Sequence, residues 1–480
     1  MDSSPYSTSI HILDDYSLLN IFYLYPPFLL SEDQDIVRFW GGVKWVGERW
    51  WYRLAHVCQR WRNLILGSAS YLGLSLVCTY GTPVADMLAH SPPLPLVIDY
   101  YGHDIAAVDE EAIIFALEQR DRVRRIRFRI PVLKLQKLVM AITGEYPILE
   151  YLILWGLHEG KSTVLILPDT LQTTPHLRHL AIDCSIPIRP PLLGAATGLV
   201  TLHLGLYHPS TYLQPASLLQ WLSLMPHVEM LLIYFHFVVP NRDVERQLTR
   251  TPIMTHVTLP NLRTLGLKAV NAYSEAVLSR ITASRLKYLQ IGYLHQLTFS
   301  APQLRQFMGR IEGLRFDRAE VYFYSERVYV EVNPTETNIP LAAFSIIVYC
   351  WHLDWQVSSV AQNLSALGQI FSTVEHLTLV HEVHSRSSEE HNRVDRTEWR
   401  KLLRSFSNVK TLRVDDGLVK ELSRCLPSSL EGLEHPLELL PELQELTYSG
   451  SGNPEGLFTP FIDARQNAGR PITLVKSNRK

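Results

Sequence analysis

Neither sign of charge dominates this chain: 45 lysines and arginines face 47 aspartates and glutamates, a formal net charge of -2. So little bias gives no global pull toward nucleic acid or an anionic lipid surface, and neither is expected as a partner. Cysteine is scarce. Cys58, Cys78, Cys184, Cys350 and Cys425 lie far apart with no C-x-x-C pair, which excludes a disulfide framework and points to a reducing compartment, cytosol or nucleus. Long apolar runs are missing too: "MLLIYFHFVV" at 230–239 is half the ~20 residues that span a bilayer, and His236 interrupts it. The opening "MDSSPYSTSI" has no basic stretch followed by an apolar one, so no secretory leader is expected.

Catalytic signatures are absent as well. No G-x-x-x-x-G-K-[ST], G-x-G-x-x-G, H-E-x-x-H or G-x-S-x-G occurs. The histidines at 381, 384 and 391 sit among glutamates in a polar loop-like stretch. Cys58 and His56 are two apart, so on a helix they face different ways. No cofactor, no metal site and no enzymatic activity are expected.

What is present is apolar residue in quantity, 46% of the chain, in a recurrent order. With 480 residues the chain exceeds the roughly 100 to 200 of one ordinary domain, so it is multidomain or repetitive. The pattern apolar-x-x-apolar-x-apolar starts at Val123, Leu149, Leu177, Leu199, Val228, Leu262, Leu286, Ile311, Val374, Val409 and Leu443. The wide gap after Ile311 has room for one degenerate unit near Leu341. Helical-looking segments precede most copies, as in "PASLLQWLSLMPHVEMLLI" at 215–233. A short strand cannot bury a face alone, but stacked copies share one core. The reading is α/β, a curved solenoid with parallel strands on its concave face and helices outside; an ordinary α/β domain is the alternative. The pattern resembles irregular leucine-rich repeats without the asparagine ladder of regular ones.

Side chains alternate along a strand, so the residues between and beside the last two apolar positions point to the open face. These are Arg125, Arg127 and Arg129, then Tyr151, Ile153 and Trp155, then His179, Ala181 and Asp183. Later strands give His203; Met230, Leu232 and Tyr234; Lys268; Tyr288 and Gln290; Arg315 and Asp317; Arg413 and Asp415. "RDRVRRIRFR" at 120–129 holds six arginines, three of them in line about 7 Å apart. An arginine row beside tyrosine and tryptophan suits an acidic or phosphorylated peptide. The competing reading has those arginines neutralised by Asp104, Asp109, Glu110, Glu111 or Asp183. The candidate substrate-binding residues are Arg125, Arg127, Arg129, Tyr151, Trp155, His179, Tyr234, Tyr288, Arg315 and Arg413.

Near the start, a helix over 48–66 would gather Trp50, Leu54, Val57, Cys58, Trp61, Leu64 and Ile65 on one stripe, behind a shorter amphipathic element at 13–22 that opens on Asp14 and Asp15. So little helix leans on a partner. Here the sequence resembles the F-box, the helical module that docks on the Skp-type adaptor of cullin-RING ubiquitin ligases. Its L-P-D-E-x-L-L-x-I-F opening aligns with Leu13 to Phe22, with Asp14 and Tyr16 in place of proline and glutamate. Its L-x-x-V-C-x-x-W-x-x-L aligns with Leu54, Val57, Cys58, Trp61 and Leu64. With "LGLSLVCTYGTPVADMLAHSPPLPLVIDY" at 72–100, "HLDWQVSSVAQ" at 352–362 and "LLPELQELTYSG" at 439–450, nearly the whole chain is similar to the expanded F-box and leucine-rich-repeat proteins of mushroom-forming fungi.

The resemblance implies an F-box module at 8–70 with an insertion at 26–49, a repeat solenoid at 72–470 and a C-terminal tail at 471–480. It implies adaptor contacts through Leu13, Leu18, Leu19, Ile21, Phe22, Leu54, Val57, Cys58, Trp61 and Leu64. The expected function is a non-catalytic substrate receptor, bound through the adaptor to a cullin and holding a protein target on the repeat surface. The alternative is an interaction scaffold whose degenerate F-box binds no adaptor.

Overall fold

The computed structural model describes residues 12–25, 49–102, 104–157, 174–184, 197–236, 253–294, 300–311, 316–334, 343–382, 394–426, 438–449 and 455–477. The chain divides between Leu199 and Val200 into two compact units. None of the described helices is long and apolar enough to cross a membrane.

The first unit opens with helix α1 (Asp15–Leu24), started by Asp14, whose side chain accepts the Ser17 amide at 2.7 Å. The single helix expected over 48–66 is two, α2 (Trp50–Ala55) and α3 (Gln59–Gly67). The break falls at Cys58, whose backbone is extended and whose Sγ accepts the Trp61 amide at 3.5 Å as the cap of α3. Arg62 reaches back to the Ala55 carbonyl at 3.1 Å and holds the corner. The bend turns the stripe. Trp51, not Trp50, is the buried ring, its Nε1 donating to the Ser75 carbonyl at 3.2 Å. The helices thus belong to the same unit as the strands that follow.

Those strands alternate with helices: β1 (Leu76–Cys78), α4 (Val84–His90), β2 (Leu96–Tyr101), α5 (Ala107–Glu118), β3 (Val123–Pro131), α6 (Val132–Ala141), β4 (Tyr151–Leu157) and β5 (His179–Asp183). Every neighbouring pair from β1 to β5 is parallel, and spatial order follows chain order. An ordinary doubly wound sheet would reverse its strand order partway; these strands advance in one direction. Ile126, Phe128, Ile130, Leu152 and Leu154 face a core shared with Leu135, Leu138 and Val139 of α6, all fully buried.

The second unit continues the alternation through β6 (Thr201–Leu206), α7 (Pro215–Leu222), β7 (Met230–Phe235), β8 (Val257–Thr258), β9 (Thr264–Ala269), α8 (Asn271–Leu278), β10 (Ile281–Thr282), β11 (Tyr288–Leu294) and α9 (Pro302–Met308). A hairpin of β12 (Arg318–Tyr324) and β13 (Val328–Asn333) follows, then β14 (Phe344–Tyr349) and α10 (Leu353–Leu367). The unit ends with β15 (His376–Glu382), α11 (Arg396–Arg404), β16 (Thr411–Val414), α12 (Asp416–Cys425), β17 (Glu445–Ser449), α13 (Glu455–Asn467) and β18 (Thr473–Ser477). The sheet runs β6-β7-β9-β11-β14-β13-β12-β15-β16-β17-β18, while β8 and β10 pair separately.

Three expectations need correction here. Ile311 lies in a turn and the strand expected from it starts instead at Arg318; 312–315, like Leu341, lie outside the described residues. The gap beyond that strand holds two more, β13 and β14, rather than one degenerate unit, and β13 pairs antiparallel to both β12 and β14. The cause is strict alternation: Ala319, Val321 and Phe323, then Val328, Val330 and Val332, are buried on either side of the polar turn at Ser325–Arg327. Finally, the tail drawn from 471 contains β18, paired parallel to β17.

One contact recurs at strand starts. Two successive amides donate to one carbonyl of the preceding strand: Arg178 and His179 to Glu150, Arg263 and Thr264 to Glu229, Lys410 and Thr411 to Glu375, all at 2.8–3.1 Å. The same repeat position carries ion pairs within each unit, Arg124 with Glu150 at 2.9 Å, Arg263 with Glu229 at 3.8 Å and Lys410 with Glu375 at 2.8 Å. These charges are partly exposed and add little each, but opposite signs one strand apart favour the observed pairing.

Two buried positions test this packing. Gly156 leaves no room for a side chain, since a Cβ would sit 2.8 Å from Val132 Cγ2 and 3.0 Å from Cys184 Cβ. Gly156→Ala is expected to cost about 1 to 3 kcal/mol, read as a lower denaturation midpoint. Arg465 is fully buried and donates to the carbonyls of Leu440, Pro441 and Leu443 at 3.0–3.1 Å. Arg465→Met strands those carbonyls and should cost at least about 2 kcal/mol in the same measurement.

Candidate functional site

Parallel pairing of β2 to β5 fixes which side chains share the open face. The registers give three cross-strand rows: Val97, Arg125, Tyr151 and His179; Asp99, Arg127, Ile153 and Ala181; Tyr101, Arg129, Trp155 and Asp183. The three arginines thus form one column along β3, each with a different neighbour.

Arg127 is neutralised by Asp99, its Nε donating to Oδ1 at 2.7 Å and its Nη2 to Oδ2 at 2.6 Å. Both side chains are largely buried, 13% and 8% exposed, so the fork is held in place rather than solvated. Arg125 lies 4.5 Å from the centre of the Tyr151 ring, and His179 stacks on that ring at 4.0 Å with planes 9° apart. Arg129 is enclosed by two rings, Tyr101 and Trp155, its guanidinium carbon 4.7 Å from each centre. Cation–π contacts of this kind contribute on the order of 1 kcal/mol each and fix the plane of the guanidinium.

Three of the five acids expected to neutralise the row are occupied elsewhere, while Asp183 lies on this face in register with Trp155. Asp104 pairs with Lys134 at 3.3 Å, Glu110 with Lys137 at 2.6 Å, and Asp109 accepts the Gly81 amide at 3.0 Å. Sequence reasoning missed Asp99 and Tyr101 because "LVIDYY" lacks the repeat's spacing. Its short apolar run, with Leu96, Ile98 and Tyr100 inward, carried the signal of a buried strand.

Six of the candidate substrate residues, Arg125, Arg127, Arg129, Tyr151, Trp155 and His179, therefore meet on one face. The other four belong to the second unit. Tyr234 is buried and its hydroxyl donates to Gln290 Oε1 at 2.5 Å; Tyr288 is half-buried two residues before that glutamine on β11. Arg413 is exposed between Thr378 and Thr447. Arg315 lies outside the described residues.

The ten residues aligned with the F-box also separate. Leu18, Phe22 and Leu54 are buried, with Phe22 edge-on to Trp61 at 4.8 Å, so they are core within this chain and not available surface. Leu13, Leu19, Cys58, Trp61 and Leu64 are half-buried. Ile21 and Val57 are exposed, 44% and 58%. Beside them Tyr16, Tyr23 and Leu24 are also exposed on α1, residues the alignment did not single out. Arg60 joins α3 to the start of α1, reaching Asp15 Oδ1 and the Leu13 carbonyl at 2.7 Å.

Comparison with known protein families and with curated proteins finds no match.

Two histidines on strand faces are kept neutral by burial. Burial, with Arg178 and Arg125 adding to it, pushes His179 down to about 4, and burial alone pushes His203 down to about 3. The unfolded chain takes up these protons from pH 6.5 downward while the folded chain does not. Stability should therefore be complete above about pH 6.5 and fall between there and pH 4, by up to about 3 kcal/mol per histidine. His179→Phe, which keeps a ring to stack on Tyr151, should flatten part of that fall in melting curves recorded from pH 7.5 to 4.

Proposed function

We propose that the chain is a non-catalytic receptor subunit. Its N-terminal helices dock on the Skp-type adaptor of a cullin-RING ubiquitin ligase, and its repeat surface holds a protein target for ubiquitin transfer. The observation that carries the reading is the outer face of α1 and the α2–α3 corner, where Tyr16, Ile21, Tyr23, Leu24 and Val57 are solvent-exposed. Exposed apolar side chains gathered on so little helix suit coverage by a partner. Ile21 and Val57 belong to the residues that carry the F-box resemblance, which says which partner.

The burial pattern revises how docking would work. Phe22 holds α1 against Trp61 of α3, and the buried Leu18 and Leu54 belong to the core of these helices. Ile21 and Val57, with the half-buried Leu13, Leu19, Cys58, Trp61 and Leu64, supply the contact itself. The strands of the first unit advance in chain order, and one backbone contact repeats at strand starts within each unit; both support the leucine-rich-repeat reading. A receptor of this kind works by proximity, raising the local concentration of target lysines near the conjugating enzyme. Cytosol and nucleus are the compartments that fit.

Co-purification of the full chain with a Skp-type adaptor tests the reading. Ile21→Asp combined with Val57→Asp should lower adaptor capture at least tenfold with no change in melting temperature, because both side chains are exposed. Phe22→Ala should instead destabilise the unit by about 3 kcal/mol or more. A well-folded chain that captures no adaptor would contradict the receptor reading and leave an interaction scaffold.

A further inference from the structure

The column of arginines on β3 ends at a guanidinium unlike its neighbours. Arg127 has its carboxylate, whereas the Arg129 guanidinium makes no ion pair or hydrogen bond with any described residue; its Nε is buried without a partner. Tyr101 comes from the strand on one side and Trp155 from the strand on the other, so both flat faces of the guanidinium are covered. Only its in-plane N–H edge remains, and a planar fork is what a carboxylate pairs with most closely. Tyr101 is half exposed, which leaves the clamp open to solvent on the β2 side.

Charge decides among anions. Among the described residues of this face three arginines meet two carboxylates, Asp99 and Asp183, and His179 is neutral at pH 7. The surplus is one positive charge, which matches a monoanion better than a phosphate dianion, and Asp183 one strand beyond Trp155 disfavours a second negative charge. We propose that the Tyr101–Arg129–Trp155 clamp is a specificity pocket for a single glutamate or aspartate side chain of a target polypeptide. The pocket deepens the receptor reading by naming the target's chemistry and rests on it only for biological setting.

The test uses the full chain and three fluorescent peptide pools with randomised uncharged flanks around a fixed central residue: glutamate, glutamine or phosphoserine. Fluorescence polarisation should show the glutamate pool binding about tenfold more tightly than the glutamine pool, the effect of one charge-assisted fork, and no weaker than phosphoserine. Arg129→Gln should equalise glutamate and glutamine, and the charge-conserving Arg129→Lys should lose most of the preference because it has no fork. Should Arg129→Gln fail to fold, the lysine variant alone decides, since it keeps the charge and the stem. Equal binding of the glutamate and glutamine pools, no binding of either, or a clear preference for phosphoserine would overturn the proposal. Adaptor capture is measured in parallel, so loss of glutamate preference with normal capture refutes the pocket and not the receptor. The reverse result refutes the receptor and not the pocket.

Discussion

A short parallel strand can bury one face only, and only if its neighbours are in register, because side chains alternate and a slip of one residue turns every apolar group outward. That constraint governs this protein. Strands of three to nine residues in the first unit present Ile126, Phe128, Leu152, Leu154, Leu180 and Ile182 to one core. None could hold its conformation alone, and β4 and β5 are further aligned by the backbone carbonyl and charged residue at the start of the strand before. The hydrophobic term dominates the energy, while the ion pairs at strand starts contribute to register more than to stability.

The functional face is what this register leaves over. With the apolar residues turned inward, β3 must present Arg125, Arg127 and Arg129 together, and three guanidinium groups about 7 Å apart repel one another. The fold answers with three different neighbours: a carboxylate for Arg127, a tyrosine and histidine stack for Arg125, and an aromatic clamp for Arg129. Only the first removes the charge. The N-terminal helices show the same logic in reverse, since Leu18, Phe22 and Leu54 go to their own core and Tyr16, Ile21, Tyr23, Leu24 and Val57 remain outside.

Much of this could be read from the sequence where one spacing dominated. The strands at 151–157, 179–183, 201–206, 230–235, 264–269, 288–294, 376–382, 411–414 and 445–449 follow the repeat pattern, as do the open-face positions of β3 to β5. What escaped had a different signal. The β12–β13 hairpin alternates strictly and β2 opens on the apolar run Leu96–Val97–Ile98, both without the x-x gap, so a search for one spacing passed over them and over Asp99 and Tyr101. The corner at Cys58 was hidden because helical periodicity continues across it; the deciding interaction, a thiol accepting an amide, is local and weak. Which stripe residues are covered could not follow from periodicity at all, because a stripe says what is apolar and not what lies against it.

The account rests on β2 and β3 being paired in the register that sets Asp99 opposite Arg127. A double-mutant cycle measures this directly: denaturation midpoints of the parent chain, Asp99→Ala, Arg127→Ala and the double variant. A buried fork of this geometry should give a coupling energy of about 1 to 3 kcal/mol, with the double variant recovering part of what either single change loses. Additive effects, with coupling within about 0.3 kcal/mol of zero, would mean the two residues do not meet, and the arrangement of the whole face would have to be abandoned.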